Sequence, residues 1–326
     1  MALLVDREQV IEGDSGLESR GARLHVAMEF HIARTLRTLG HEVSVIPCVS
    51  GQQLAAELTA HRPDIAFNAV EHMYRRRTAD LQVAALLELF RIPYTGATPA
   101  ALLLCRDKAV SKSLAAKVGV LVPEFALAPI GDESPLDVPP FPVMVKPVSR
   151  DSSEGITLRS LVRTRTALQA RLRVIHHRYR DAAIIESFID GTDTYVFALE
   201  GETLQIRPPH ELRIASEGSA ARSIATYHVK HSEAYRKRWG VRSRAARLPA
   251  ATLHELERSV RRLWPVLQLR DYARLDFRIT AAGEVYVLEA NANPGFSPAS
   301  RSDNWSPADY QSAVQQVIEN ALARKP

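Results

Sequence analysis

The sequence predicts an α/β protein of three lobes. Strand- and helix-patterned segments alternate through the N-terminal third. A loop rich in Pro, Asp and Gly at 129–140 then breaks the pattern, and the C-terminal part closes on strand pairs joined by tight turns. Alternation of this kind indicates an open lobe with a parallel sheet, whereas short-turn pairs indicate antiparallel sheet.

Ala2–Asp6 is a short apolar run that reads as the first strand. Residues 24–39 carry apolar side chains at helical spacing and stop at Gly40. Residues 41–46 alternate as a strand, followed by a helix at 52–60, a strand at 64–70, a helix at 81–90 and a strand at 92–95. A helix over 108–119 ends at Gly119. Beyond the 129–140 loop, strands at 141–147 and 183–188 enclose a long Arg-rich helix. Residues 195–199 pair with 202–206 through Glu200-Gly201. A helix over 250–267 places Leu253, Leu256, Val260 and Leu263 on one face, and strands 273–279 and 284–291 form a hairpin through Ala281-Ala282-Gly283. Lobe boundaries fall near 105 and 190, dividing the chain into 1–105, 106–190 and 191–326.

A chain of 326 residues is too long for one ordinary core, and 46% hydrophobic with 24% charged residues suits a soluble globular protein. The apolar runs at 81–90 and 100–105 fall short of the roughly 20 residues that span a bilayer. No basic region followed by an apolar run opens the chain, which argues against a secretory signal. Cys48 and Cys105 lack metal or redox spacing and read as free thiols in a reducing compartment, so a cytoplasmic location is expected. The net charge of +5 comes from arginines scattered among Asp and Glu, with no interleaved aromatics, as on solvated helix faces rather than a nucleic-acid surface. Because nearly all cationic residues are Arg, the few lysines stand out.

The chemistry concentrates in the terminal hairpin, Tyr272-Ala-Arg-Leu-Asp-Phe-Arg and Tyr286-Val-Leu-Glu-Ala-Asn-Ala-Asn-Pro-Gly-Phe. Strand alternation turns Leu275, Phe277 and Ile279 to one face and Arg274, Asp276 and Arg278 to the other. The hairpin can bring Asp276 beside Glu289 and Asn291. These are hard oxygen donors of the kind Mg²⁺ takes together with phosphates. The alternative is a surface hairpin with solvated acids, against which the apolar flank 285–288 and the abrupt Asn-Ala-Asn-Pro-Gly exit both count. A second signal is Lys146, at the end of the strand Phe141-Pro-Val-Met-Val-Lys and before a loop with Ser152, Ser153 and Gly155. An ammonium plus loop N–H groups suits phosphate. Neither the GxxxxGK[ST] loop nor GxGxxG is present, and an ordinary strand–loop remains open.

Together these segments resemble the ATP-grasp superfamily and, within it, the D-alanine–D-alanine ligases and their amide-forming relatives. The resemblance is carried most strongly by residues 108–300. It implies an ATP-grasp fold of three α/β lobes, the first with an open parallel sheet, and ATP held between the central and C-terminal lobes. It implies Lys108 of Arg106-Asp107-Lys108, Lys146 and Lys230 as phosphate lysines, the last with a catalytic role, and Ser152, Ser153 and Gly155 as the lid. Glu186-Ser187-Phe188-Ile189 would be the adenine-reading hinge, with Asp193 on the ribose. Asp276, Glu289 and Asn291 would hold Mg²⁺, with Mn²⁺ as a substitute. Arg274 and Gly295 would stabilise an oxyanion, and Ser300 would hold a substrate carboxylate. Lys112 and Lys117 have no such role in the pattern.

Three departures fall at the amino-acid end. Gly13-Asp-Ser-Gly-Leu-Glu18 only loosely echoes the family's Gly/Ser/Glu segment, Glu71-His72 stands where a His-Gly pair is expected, and His231 replaces a Tyr. The expected function is an ATP- and Mg²⁺-dependent carboxylate–amine ligase acting through an acyl phosphate on amino acids or similar small molecules. Glu18, Glu71, His231 and Ser300 would contact them. Neither nucleic acid nor membrane is an expected partner, and a homodimer is compatible with the pattern. The alternatives are a D-alanine–D-alanine ligase of cell-wall synthesis and a non-catalytic nucleotide-binding regulator.

Overall fold

The computed structural model describes residues 1–6, 28–71, 73, 79–135, 137–151, 153–215, 224–227, 229, 232–298 and 305–324. Its strands are β1 Ala2–Asp6, β2 Ser44–Cys48, β3 Ala66–Asn68, β4 Phe125–Ala128, β5 Val143–Pro147, β6 Leu161–Val162, β7 Ala183–Ser187, β8 Thr192–Leu199, β9 Gln205–Ile206, β10 His210–Arg213, β11 Arg242–Ala245, β12 Tyr272–Ile279 and β13 Val285–Asn291. Its α-helices are α1 Met28–Thr38, α2 Gly51–His61, α3 Asp80–Leu89, α4 Pro99–Arg106, α5 Lys108–Lys117, α6 Arg165–Val174, α7 Glu233–Arg238, α8 Ala250–Val266 and α9 Pro307–Ala323. None of the described helices is long and apolar enough to cross a membrane.

The wholly apolar start of β1 earns it the centre of a parallel sheet, ordered β2-β1-β3. β2 begins at Ser44 rather than at 41. Gly40, at φ +88°, turns the chain out of α1, and His41 N–H still donates to Leu36 O at 3.1 Å. Pairing with β1 therefore starts only with Ala2 opposite Ser44. Of the strand expected at 92–95, Tyr94 alone makes a parallel bridge, to Ala66.

α4 was not expected, because its apolar run is short. Thr98 caps it by accepting from Ala101 N–H at 3.0 Å, and Pro99 fills the first turn. Two antiparallel sheets follow. The middle one is ordered β4-β7-β5-β6, and the larger one β11-β10-β8-β12-β13, with β9 on β8.

The cores show how the sheets are grouped. One apolar cluster runs from Leu4, Ile46 and Leu54 to Leu275, Phe277, Val287 and Leu263. A second joins Leu3, Phe67 and Ile32 to Phe197, Tyr272, Phe296 and Val317. The N-terminal parallel sheet and the large C-terminal sheet thus share their interior. The middle sheet has its own cluster of Val143, Val145, Leu168, Leu172 and Ile185.

A buried carboxylate reinforces the first grouping. Asp271, fully buried, accepts from Gly96 N–H at 2.7 Å and from Arg324 Nη1 and Nη2 at 2.5 and 2.8 Å. Arg270 Nε donates to Gly96 O at 2.6 Å. Removing one partner of a buried pair leaves an uncompensated charge. Arg324→Ala should therefore destabilise the protein by about 3 kcal/mol, read as a lower urea midpoint. An unchanged midpoint would show that the Gly96 amide alone holds Asp271.

Candidate active site

Strand pairing at the hairpin sets the site. β12 and β13 pair Arg274 with Asn291 and Asp276 with Glu289. The register then skips, so that Phe277 pairs with Val287 and Leu288 is the extra residue of a β-bulge. Leu275, Phe277 and Ile279 enter the core, as alternation predicts. On the opposite face Asn291 Nδ2 donates to Asp276 Oδ1 at 3.4 Å, and Arg274 donates to both Asp276 oxygens, Nε at 2.8 Å and Nη2 at 3.2 Å. Among the described residues no group of three His, Cys, Asp or Glu side chains could by itself hold a metal ion.

Two clefts flank this face. The first, of about 670 Å³ with its open mouth, is lined by Met144, Lys146, Ser153, Glu186, Ser187, Phe188, Ile189, Asp193, Arg278, Asp276 and Glu289. The second, of about 640 Å³, is lined by Glu71, Asp80, Arg106, Asp151, Arg274, Asn291 and Gly295. Asp276 and Glu289 open on one cleft, and Arg274 and Asn291, the adjacent cross-strand pair two residues along, on the other.

The floor of the first cleft is a charge cluster. Glu186 is 1% exposed, with Lys146 Nζ 2.6 Å from Oε2 and Lys112 Nζ 3.2 Å from Oε1. Lys112, 2% exposed, also donates to Leu288 O. Burial alone would raise the Glu186 pKa, but the two ammonium groups outweigh it and bring the carboxyl down to about 2. Burial draws the Lys112 ammonium below its usual range, opposed by Glu186. Lys112, set aside on sequence, thus lies behind Glu186, beneath the lining of the cleft rather than in it.

The other expected groups are distributed unevenly. Lys108 lines neither cleft in this conformation, because its Nζ donates to Arg150 O at 2.5 Å, at the root of the lid. In the loop expected as a lid, Ser153 Oγ donates to Ala225 O at 2.8 Å. Gly155 sits at φ +78°, where an added Cβ would come within 2.7 Å of Pro147 Cγ, so glycine is required. In the hinge the N–H groups of Ser187 and Phe188 donate to Glu124 O and Pro142 O at 2.8 and 3.0 Å. Those two amides are therefore engaged within the protein rather than turned to a ligand. Asp193 pairs with Arg278 at 3.0 Å, and that guanidinium lies over the Phe188 ring. Glu71 N–H donates to Asp6 at 3.1 Å. Glu18, Ser152, Lys230, His231 and Ser300 lie outside the described residues.

A profile of the family described as D-ala D-ala ligase C-terminus matches residues 136–319, more than half of the chain. This chain belongs to that family. The D-alanine–D-alanine ligase of Citrifermentans bemidjiense is 32% identical over 77% of this chain and 75% of its own length, and that of Syntrophotalea carbinolica is 29% identical over 90% of each. An uncharacterized protein of Sinorhizobium fredii is 33% identical over 66% of this chain and 61% of its own. The crystal structure of the Bacillus anthracis D-alanine–D-alanine ligase complexed with ATP superposes with a TM-score of 0.73. It covers 99% of this chain and 98% of that one at 20% identity, which establishes the ATP-grasp fold. Membership in the D-ala D-ala ligase family makes the chain an ATP-grasp ligase of the kind that forms C–N bonds.

Sequence alone missed the charged wall of this ligase's second cleft. Arg106 reaches Asp80 at 2.5 Å and Asp151 at 3.3 Å, bridging α3 and the lid root. Burial raises the Asp80 pKa to about 6 in spite of Arg106. Arg106 precedes the motif lysine, but its partners lie 26 and 45 residues away, so no local pattern announces them.

The depressed Glu186 pKa has a stability consequence. A carboxyl whose folded pKa lies below its unfolded value stabilises the fold above the unfolded pKa, and that contribution fades as pH falls through the folded one. The window runs from about 4.5 down to about 2. The unfolding free energies of wild type and Glu186→Gln, extrapolated from urea titrations, should differ by a constant amount, on the order of 3 kcal/mol, between pH 7 and 5. The gap should narrow below pH 4.5, and a gap independent of pH would refute the assignment.

Proposed function

We propose that this chain is an ATP- and Mg²⁺-dependent carboxylate–amine ligase that joins amino acids or similar small molecules through an acyl phosphate. The observation that carries the proposal is the shared wall, in which one hairpin offers Asp276 and Glu289 to the first cleft and Arg274 and Asn291 to the second. Phosphoryl transfer from a nucleotide to a carboxylate needs two sites meeting at a cluster of hard oxygen donors and cations.

The first cleft is suited to ATP. Glu186, Lys112 and Lys146 sum to one net positive charge in a buried floor, which favours an anionic ligand. Lys108, Lys146 and Lys230 are assigned to phosphate, with Ser152, Ser153 and Gly155 closing over it. Because the Ser187 and Phe188 amides are engaged, adenine recognition in the hinge falls to Ile189 N–H and the neighbouring carbonyls. Asp193 is assigned to the ribose.

Asp276, Glu289 and Asn291 fit Mg²⁺ by donor type, with two carboxylates on paired residues and an amide hydrogen-bonded to one of them. When bound, the ion would neutralise phosphate charge and fix the phosphate oxygens.

The substrate carboxylate, held in the second cleft, attacks the γ-phosphorus and releases ADP. An amine then attacks the acyl carbon of the acyl phosphate and expels phosphate. Gly295 N–H and Arg274, both lining that cleft, are placed to stabilise the tetrahedral oxyanion, where one donor is typically worth about 3–4 kcal/mol. Glu71, Glu18, His231 and Ser300 are assigned to the amino acids. The second cleft carries Glu71, Asp80, Arg106, Asp151 and Arg274, which favours at least one polar, amine-bearing amino acid over alanine.

The test is phosphate release from ATP and Mg²⁺ with paired amino acids of both chiralities. Turnover is expected, with higher kcat/KM for a pair containing a second amine than for D-alanine with itself. Glu289→Ala should fold normally and lose at least about 100-fold in kcat, since it removes an inner-sphere oxygen. A folded variant with near wild-type phosphate release would sink the metal assignment.

A further inference from the structure

We propose that Lys112 is a positioning residue, one that fixes the β-bulge at Leu288 and thereby aims Glu289 at the metal. The inference rests on the nucleotide and metal assignment above. It begins with the bulge itself. Cross-strand pairing passes from Asp276–Glu289 directly to Phe277–Val287, so Leu288 has no partner on β12. A residue outside a ladder still has a backbone carbonyl to satisfy, and a buried one left unmade is costly. Lys112 Nζ supplies the hydrogen bond to Leu288 O.

The same ammonium contacts Glu186 Oε1 at 3.2 Å, so one buried group ties β13 to β7 across the cleft floor. Its helix, α5, also carries Lys108 one turn earlier, on the same face. Hydrogen bonds that orient a metal ligand's backbone act as those to the ligand side chain do, and their loss typically lowers metal affinity or activity 10–100-fold. Without Lys112 both Leu288 O and Glu186 Oε1 lose this partner inside the protein. The bulge is then free to slip toward regular pairing, and a slip of one residue reverses the face to which a side chain points.

The test separates metal from nucleotide. Calorimetric titration with ADP, with and without Mn²⁺, is compared for wild type, Lys112→Met and Lys112→Gln, the last keeping one donor if the Met variant fails to fold. The gain in ADP affinity conferred by Mn²⁺ should fall 10–100-fold in the variants, over and above the loss of ADP affinity that removing one floor charge causes without metal. Amide hydrogen exchange at 286–290 should also accelerate in the ligand-free variants. An unaltered Mn²⁺ gain would overturn the proposal. So would an equal loss of ADP affinity with and without metal, which would assign Lys112 to the nucleotide floor alone. A wild-type protein that binds no ADP under either condition would instead defeat the nucleotide assignment on which the inference stands.

Discussion

A carboxylate and two ammonium groups share the floor of the first cleft, and much of the site depends on how that cluster is satisfied. Removing a single ion from water costs several kcal/mol even after the protein relaxes, so three together persist only with close pairing. Glu186 meets this condition by giving one oxygen to Lys146 and the other to Lys112. The pairing draws β5, β7, β13 and α5 to one point, since each supplies a member or a bonded carbonyl. It also leaves one positive charge over, which predisposes the floor to an anion.

The hairpin transmits that arrangement to the second cleft. Its register is enforced from the core side, where Leu275, Phe277 and Ile279 cannot leave their cluster without exposing large apolar area. The polar face follows by alternation, and the bulge adjusts where Glu289 stands relative to Asp276. The packing of the N-terminal sheet against the large sheet contributes as well, because Glu71, Asp80 and Arg106 come from one and Arg274 and Gly295 from the other. The second cleft exists only where those two sheets share an interior. The middle sheet, with a separate core, supplies Lys146, Glu186 and the lid.

What the sequence made legible were features with short-range rules. Alternation in the hairpin foretold both its core face and the juxtaposition of Asp276 with Glu289, and the apolar run at 141–147 foretold the strand that carries Lys146. Features set by distant partners were hidden. Arg106 reads as an unremarkable residue before a lysine until folding brings Asp80 and Asp151 to it. The hinge amides of Ser187 and Phe188 looked available until Glu124, just before β4, and Pro142, just before β5, took them as donors. α4 was obscured for a different reason, since eight residues are too few for periodicity to show and only its Thr-Pro cap marks it.

Lysine usage held more information than its spacing revealed. In an Arg-rich chain, Lys108, Lys112 and Lys146 are buried, whereas Lys117 and Lys237 are exposed. Chemistry explains why the three are not Arg. Lys112 Nζ must approach Glu186 Oε1 and Leu288 O together from within a nearly closed slot, which a compact ammonium with three rotatable donors can do. A planar guanidinium presents its donors in a fixed fork and needs more room, and it would also leave some of its five N–H groups without acceptors. Lys146 faces the same restriction, with Glu186 on one side and the cleft on the other. The preference for Lys at these positions therefore follows from the dimensions of the pocket floor, and it applies to the residue that orients the bulge as much as to those assigned to phosphate.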